Sequence, residues 1–283
     1  MARIFVTGSS DGLGLMAARL LIEQGHEVVL HGRNDGRSRD ALAAAAGAQE
    51  AVSGDLSTIA GGRTVAEAVN KLGRFDALIH KAGIGYRGTR RVETVPGVPS
   101  VFAVNVLAPY ILTALIERPA RLVYVSSGMH HGGQARMDDL LWTKRAWSGS
   151  SAYAESKLCD VLLAFAVARR WKDVRSNALE PGWVATKIGG PSAPGDIQQG
   201  SVTQAWLATS DDELVAIDGR VFLSSASSCA EPGRERCRDP GAAARRVPPH
   251  LRHFSSLKPG RPYLHRHGHH FEPVLLSACA RVR

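Results

Sequence analysis

Cysteine is scarce in this 283-residue chain, with only Cys159, Cys229, Cys237 and Cys279. No two of them sit at a paired metal-ligand spacing, and they outline no disulfide framework, which fits a reducing, cytoplasmic setting. Long apolar runs are also missing. No stretch of about 18 or more uncharged apolar residues occurs, so no membrane span is expected. A strand-like segment begins at Arg3, with no signal-peptide pattern before it. Acidic residues are short of basic ones, 26 against 35, for a net charge of +9. That excess is unevenly placed. Residues Ser224 to Arg283 hold eleven Lys/Arg and four Asp/Glu, while the preceding 223 residues hold 24 and 22. The body of the chain is therefore close to neutral. A nucleic-acid binder carries its basic footprint on the folded domain, so that class is set aside.

What the sequence does contain is an alternation of strand-like and helix-like segments. Strands are expected at Arg3–Thr7, Glu27–His31, Ala51–Gly54, Ala77–His80, Arg121–Val125, Val174–Leu179 and Arg220–Leu223. Helical periodicity lies between most of them, and Leu158 to Trp171 carries apolar residues at helical spacing. This pattern predicts a single α/β domain, a doubly wound parallel sheet of about seven strands with helices on both faces. Ligands of such sheets bind outside the carboxyl ends of the strands. Gly8, Gly83, Ser127 and Gly182 each follow a strand candidate, so they are expected to converge there.

Two motifs carry chemistry. The first strand runs into Gly8-Ser9-Ser10-Asp11-Gly12-Leu13-Gly14, followed by an Ala/Leu-rich helix from Leu15 to Glu23. Strand, glycine-rich turn and helix form a phosphate cradle. Glycines allow the tight turn and close backbone approach, and the helix N-terminus presents free N–H groups and a positive dipole end. The second motif is Tyr153-Ala-Glu-Ser-Lys157. Residues four apart share one helix face. A cation fixed beside a phenol favours the phenolate, which makes the tyrosine a proton donor and acceptor nearer neutrality.

Thr7-Gly8-x-x-x-Gly12-x-Gly14 together with Tyr153-x-x-x-Lys157 resembles the short-chain dehydrogenase/reductase family. Further segments resemble that family in order: Gly54-Asp55-Leu56, His80-Lys81-Ala82-Gly83, Asn105 in Val104-Asn105-Val106, Val123 to Ser127, and Pro181-Gly182-Trp183-Val184-Ala185-Thr186. The resemblance covers about residues 2–223 and implies a Rossmann-type nucleotide-binding fold. The long interval from Ser127 to Tyr153, with Met129-His130-His131 and Asp138-Asp139-Leu140, is similar to the retinol dehydrogenase and WW-domain oxidoreductase branch.

The resemblance implies Asn105, Ser127, Tyr153 and Lys157 as the catalytic set, with Ser126 as the alternative serine. It implies cofactor contacts from Gly8, Ser10, Asp11, Gly12, Leu13, Gly14, Asp55, Leu56, Ala82, Gly83, Tyr153, Lys157, Pro181, Gly182, Val184 and Thr186. Cofactor choice is read from the end of the second strand. His31-Gly32-Arg33-Asn34 offers no carboxylate for a ribose 2′-hydroxyl, and Arg33 can clamp a 2′-phosphate. NADP (NADPH) is preferred over NAD, with Asp11 counting slightly against it. The expected chemistry is hydride transfer between a nicotinamide and a small-molecule ketone or aldehyde, or the corresponding alcohol. The alternative is a non-catalytic NADP(H)-binding redox sensor or scaffold, which Lys81 favours because it stands where the family usually has Asn.

Four further expectations concern the apolar loop, the tail, the histidines and the assembly. Met129, Met137, Leu140, Leu141, Trp142 and Trp147 either roof an apolar substrate pocket or pack their loop onto the domain. Residues 224–283, rich in Pro, Arg and His, form an atypical tail that is poorly ordered or frame-disturbed, with regular structure only at Val274–Ala280. Its His265, His267, His269 and His270, like the His130-His131 pair, are not assigned to a metal. The family resemblance also suggests a homodimer or homotetramer.

Overall fold

Alternate residues of the first strand serve two different cores. In β1 (Arg3–Val6), Ile4 and Val6 pack on one face of the sheet and Phe5 on the other. The alternation repeats in β4 (Ala77–His80), where Ala77 and Ile79 oppose Leu78, and in β7 (Arg121–Val125), where Val123 and Val125 oppose Leu122 and Tyr124. A strand covered on both sides needs apolar residues at every position, which explains the continuous apolar runs.

The computed structural model describes residues 1–95, 97–215 and 218–224. The predicted Val274–Ala280 segment, the histidines from His265 to His270 and the tail beyond Ser224 lie outside the described residues. Seven strands form one parallel sheet in the order β3-β2-β1-β4-β7-β8-β9, with β2 Glu27–Gly32, β3 Glu50–Ser53, β8 Arg175–Glu180 and β9 Val221–Leu223. Two short strands, β5 (Glu93–Val95) and β6 (Val98–Pro99), pair antiparallel outside it. Each strand candidate of the main sheet is found within a residue or two of its predicted place. No described helix is long and apolar enough to cross a membrane.

Helices α1 (Gly12–Glu23), α2 (Asp35–Ala44), α3 (Ile59–Lys71), α4 (Ser100–Phe102), α5 (Ala108–Leu115), α6 (Gly149–Arg170) and α7 (Ile197–Thr209) cover the sheet. Helices α1 and α7 pack together with the core that holds Ile4 and Ile79, while α3, α5 and α6 close the core that holds Phe5 and Leu78. Between α4 and α5 the helix widens into a π turn, Ala103–Leu107. Such turns often mark functional positions, and this one contains Asn105. The strand order changes direction between β1 and β4, so the loops leaving these strands part at their carboxyl ends. The crevice opened there is where the site lies.

Candidate active site

The turn after β1 is built for close approach. Gly8 and Gly12 have φ of +63° and +53°, a region that side chains rarely adopt. A Cβ at Gly8 would stand 2.7 Å from Ala82 Cα, and one at Gly14 would stand 2.4 Å from Gly8 O. The glycines thus let the turn pass the loop after β4 and coil directly into α1. That loop is fastened in turn by Thr7, whose hydroxyl oxygen accepts from the N–H groups of Lys81 (2.9 Å) and Ala82 (3.0 Å).

His31 was noted in the sequence only as a neighbour of Arg33, yet it anchors the turn. The Gly8 N–H donates to His31 Nδ1 (3.1 Å), and His31 Nε2–H donates to Gly54 O (2.9 Å). Burial keeps this imidazole below its ordinary pKa, although the Gly54 carbonyl and Asp55 oppose the shift. The neutral form is the one that can accept from Gly8.

Arg37, at the start of α2, was not singled out by the sequence. Its Nη2 donates to Asp11 Oδ2 (2.6 Å) and to Ser10 Oγ (3.1 Å). Lys187 Nζ reaches the same Asp11 oxygen at 2.6 Å. Burial opposes the Asp11 charge, but these two cations together hold its carboxyl below the usual range. The negative charge counted against a 2′-phosphate is therefore already countered. Arg33 itself is solvent-exposed, directly after the end of β2. Asp55 is exposed, its carboxylate accepting from Ser57 N (2.9 Å), and Leu56 is buried beneath it.

Beside the turn lies a cleft of about 340 Å³, the size of a small-ligand pocket. Of the expected residues, Leu13, Gly83, Ser127, Tyr153 and Lys157 line it, as do Pro181, Gly182, Val184 and Thr186. Gly8, Ser10, Asp11, Gly12, Gly14, Ala82 and Arg33 belong to the turn and loops next to it. Tyr86, Glu180, Trp183 and Ile188 also face the cleft, and sequence reading did not select them. Their only common signal was proximity to the Ala82-Gly83 and Pro181-Gly182 motifs.

Helix α6 presents Tyr153 and Lys157 one turn apart, both about 5% exposed. The Lys157 Nζ lies 6.0 Å from the Tyr153 ring centre, and the Tyr86 ring sits 5.4 Å from that of Tyr153. Lys157 Nζ donates to Val125 O and to Asp160 Oδ2, each at 2.9 Å. Burial opposes the lysine charge, but Asp160, with a contribution from Tyr153, raises it above the ordinary range. The Asp160 carboxyl is pushed up to about 6 by burial, against the pull of Lys157.

The two serines separate by what they touch. Ser126 is buried, and its hydroxyl donates to the Lys157 carbonyl oxygen (2.8 Å). Ser127 is only partly buried, and its hydroxyl accepts from Met129 N (3.3 Å), which leaves its own proton to be directed elsewhere. Asn105 is fully buried and does not line the cleft. Its amide accepts from Ile84 N (2.9 Å) and donates to Ile84 O (3.1 Å) and Ser156 Oγ (3.0 Å). It ties the π turn to α6 and to the loop carrying Gly83.

Two further readings meet the structure here. Of the six apolar residues offered as a pocket roof, only Met129 reaches the cleft. Leu140 and Trp142 are buried, and Leu140, Leu141 and Met137 pack against the main core. Arg145 pins this loop, binding Glu155 through both oxygens (2.8 and 2.6 Å) and lying 3.6 Å above the Trp142 ring. The rim of the cleft is formed instead by Trp183 and Ile188. His130 and His131, for their part, meet a carboxylate from fifty residues away. Their ligand atoms and those of Glu180 lie within 4.8 Å of one another. A bound zinc ion spaces such ligands about 3.3 Å apart, so the cluster would have to contract to hold one.

Lys81 also lines the cleft. Burial, reinforced by the nearby Lys157 and partly offset by Asp11, lowers its ammonium to about 8. Two lysines, Lys81 and Lys157, therefore line the cleft together with the Glu180 carboxylate, and Asp160 lies behind Lys157.

Comparison with known proteins agrees with this geometry. The short chain dehydrogenase family matches residues 2–196. An uncharacterized oxidoreductase of Emericella nidulans is 45% identical over 239 residues, covering 83% of this chain and 91% of that one. The short-chain dehydrogenase chry4 of Gibberella zeae is 41% identical, with 75% and 82% covered. Retinol dehydrogenase 14 of Homo sapiens is 30% identical, with 66% and 62% covered. Among solved structures, a blue fluorescent protein from a metagenomic library in complex with NADPH superimposes with a TM-score of 0.64 at 22% identity, covering 78% of this chain and 95% of that one. A glycine-rich turn, a tyrosine and lysine on one helix face and a parallel seven-stranded sheet thus come together in a member of the short-chain dehydrogenase/reductase family.

Proposed function

We propose that this oxidoreductase interconverts a ketone or aldehyde and the corresponding alcohol, using NADP(H), with Tyr153 as the general acid and base. The observation that carries the reading is that Ser127, Tyr153 and Lys157, from a strand end and a helix, face one cleft beside the glycine-rich turn. The residues fit a dinucleotide. The bare Cα atoms of Gly8 and Gly14 let the turn pack directly on Ala82 and coil into α1, and a Cβ at Gly12 would meet nothing, which leaves the N-terminus of α1 open to a pyrophosphate.

When bound, the nicotinamide supplies or accepts the hydride. The protein does the rest. Ser127 and Tyr153 hold the carbonyl oxygen and stabilise the charge that grows on it. Tyr153 delivers the proton during reduction and removes it during oxidation. Lys157, one turn along, supports the phenolate form and has one N–H left for a ribose hydroxyl after serving Val125 O and Asp160. Asn105 braces the loop beside Gly83 through both groups of its amide. Arg33 and Arg37 supply guanidinium groups for a 2′-phosphate. The exposed Trp183 at the rim favours an apolar carbonyl compound. A small-molecule partner, and no nucleic acid, fits the near-neutral body.

The test is NADPH oxidation by the full chain against a panel of aldehydes and ketones, with Tyr153→Phe alongside. Turnover by the native chain and its loss in Tyr153→Phe, with NADPH still bound, is the expected result. NADPH binding with no turnover on the panel would replace this reading with that of a sensor or scaffold.

A further inference from the structure

Lys157 is one of the most enclosed charges in the fold. Its side chain is 7% exposed and that of Asp160 is 3% exposed, with Nζ and Oδ2 2.9 Å apart at an i, i+3 spacing on α6. Two of the three ammonium protons are taken, one by Asp160 and one by Val125 O. The mechanism proposed above uses the lysine to support the phenolate but gives no role to a carboxylate beside it.

We infer that Asp160 is a positioning residue for the reaction proposed above: its carboxylate fixes the Lys157 ammonium and damps that charge as felt by Tyr153, and protonation of Asp160 releases the damping. The inference rests on the Tyr153 reading and adds a control to it. A lone ammonium acts on the phenol as a point charge. An ammonium with a carboxylate 2.9 Å away acts more nearly as a dipole, whose influence falls off faster with distance. Tyr153, with its ring centre 6.0 Å from Nζ, lies where that difference counts.

The other groups around Asp160 do not replace it. From β7, the Tyr124 phenol is pushed up by burial and by Asp160, although its bond with Thr113 opposes this, so it stays protonated. His80 stacks on Tyr124 at 4.8 Å and is kept neutral by burial. From α6 itself, the Cys159 thiol is pushed up by burial and by Asp160 and Glu155. From the loop after β4, Lys81 is the other cation, and it is repelled by Lys157. Asp160 is therefore the group that neutralises Lys157. Its carboxyl, pushed up to about 6 by burial against the pull of Lys157, titrates where the enzyme can be assayed.

The experiment uses the full chain, native and Asp160→Asn, which keeps the shape and removes the charge. Formation of the Tyr153 phenolate is followed by ultraviolet difference titration, each protein measured against its Tyr153→Phe counterpart. Alcohol oxidation is followed in parallel as a function of pH. In Asp160→Asn the phenolate should form about one pH unit lower, and on the rising limb of the profile oxidation should be about tenfold faster than native. The two rate profiles should converge below about pH 6, where the native carboxyl is protonated. Superimposed titrations and profiles at every pH would overturn the inference. If Asp160→Asn does not fold, the native rate profile decides alone: an inflection near pH 6 besides the main limb supports the role, and a single limb overturns it. A moved phenolate titration without turnover in any protein would refute the enzyme reading and leave only the damping of Lys157 by Asp160 standing. Turnover with an unmoved titration would do the reverse.

Discussion

Ser126 Oγ donates to the backbone carbonyl oxygen of Lys157 at 2.8 Å, sewing the end of β7 to the middle of α6. The neighbouring Ser127 faces the cleft without this tie. Adjacent serines thus divide into a structural and a chemical partner. Ser126→Ala should lower stability by about 1 kcal/mol, the worth of an ordinary buried hydrogen bond, and keep most turnover. Ser127→Ala should leave the denaturation midpoint almost unchanged and lower kcat by about a hundredfold or more. Equal kinetic losses would reject the assignment, and urea melts beside steady-state rates measure both.

Arg37 and Arg33 both stand beside the glycine-rich turn but are held differently. Arg37 is held by Asp11 and Ser10, while Arg33 is exposed at the end of β2. If both meet the 2′-phosphate, Arg33→Ala and Arg37→Ala should each weaken NADPH binding by about tenfold or more, with NADH affected far less. Fluorescence titration of both nucleotides reads the ratio. Parallel losses for the two would point to NAD.

Gly14 has no room for a side chain, because its Cβ would stand 2.4 Å from Gly8 O. Gly14→Ala should cost about 1–3 kcal/mol through forced displacement of the turn, and NADPH binding should fall with it. A Gly14→Ala protein with native affinity and melting temperature would show that the turn does not hold the pyrophosphate.

His80 makes stability depend on pH. Burial lowers its imidazole to about 3 in the folded chain, against about 6.5 when unfolded. Between these values the unfolded chain binds the extra proton, so the stability contributed by neutral His80 is complete above about pH 6.5 and is lost as pH falls toward 3. The slope contributed is up to about 1.4 kcal/mol per pH unit. Asp160, pushed up to about 6, takes a proton earlier in the folded chain and opposes this. Comparing native with His80→Asn therefore isolates the histidine: the variant should lose less stability between pH 7 and pH 5, as measured by urea midpoints.

Trp183 is 58% exposed at the cleft rim, its indole N–H donating to Gly189 O at 2.9 Å. Trp183→Ala should raise KM for bulky apolar carbonyl compounds by about tenfold, the order of one lost apolar contact surface, and change KM for small aldehydes little. An equal change for both would mean that the tryptophan only supports its loop.

Much of this protein was legible in the chain itself. Both-faced burial forces apolar residues at every strand position, so the strands of the main sheet were visible as runs, and the turn glycines and the Tyr153–Lys157 spacing are local regularities. Local signals also limited the reading. Leu140 and Trp142 look the same in sequence whether they roof a pocket or fill a core. Burial beneath the Arg145–Glu155 pair decided for the core. Arg37, Glu180 and Trp183 carry no mark of their own and become part of the site only because separate loops meet at the carboxyl edge of one sheet. Asp160 was visible as a residue but not as a partner. Its meaning comes from desolvation, since only when α6 is pressed against β7 does a carboxylate 2.9 Å from Lys157 lose the water that would otherwise screen the two charges.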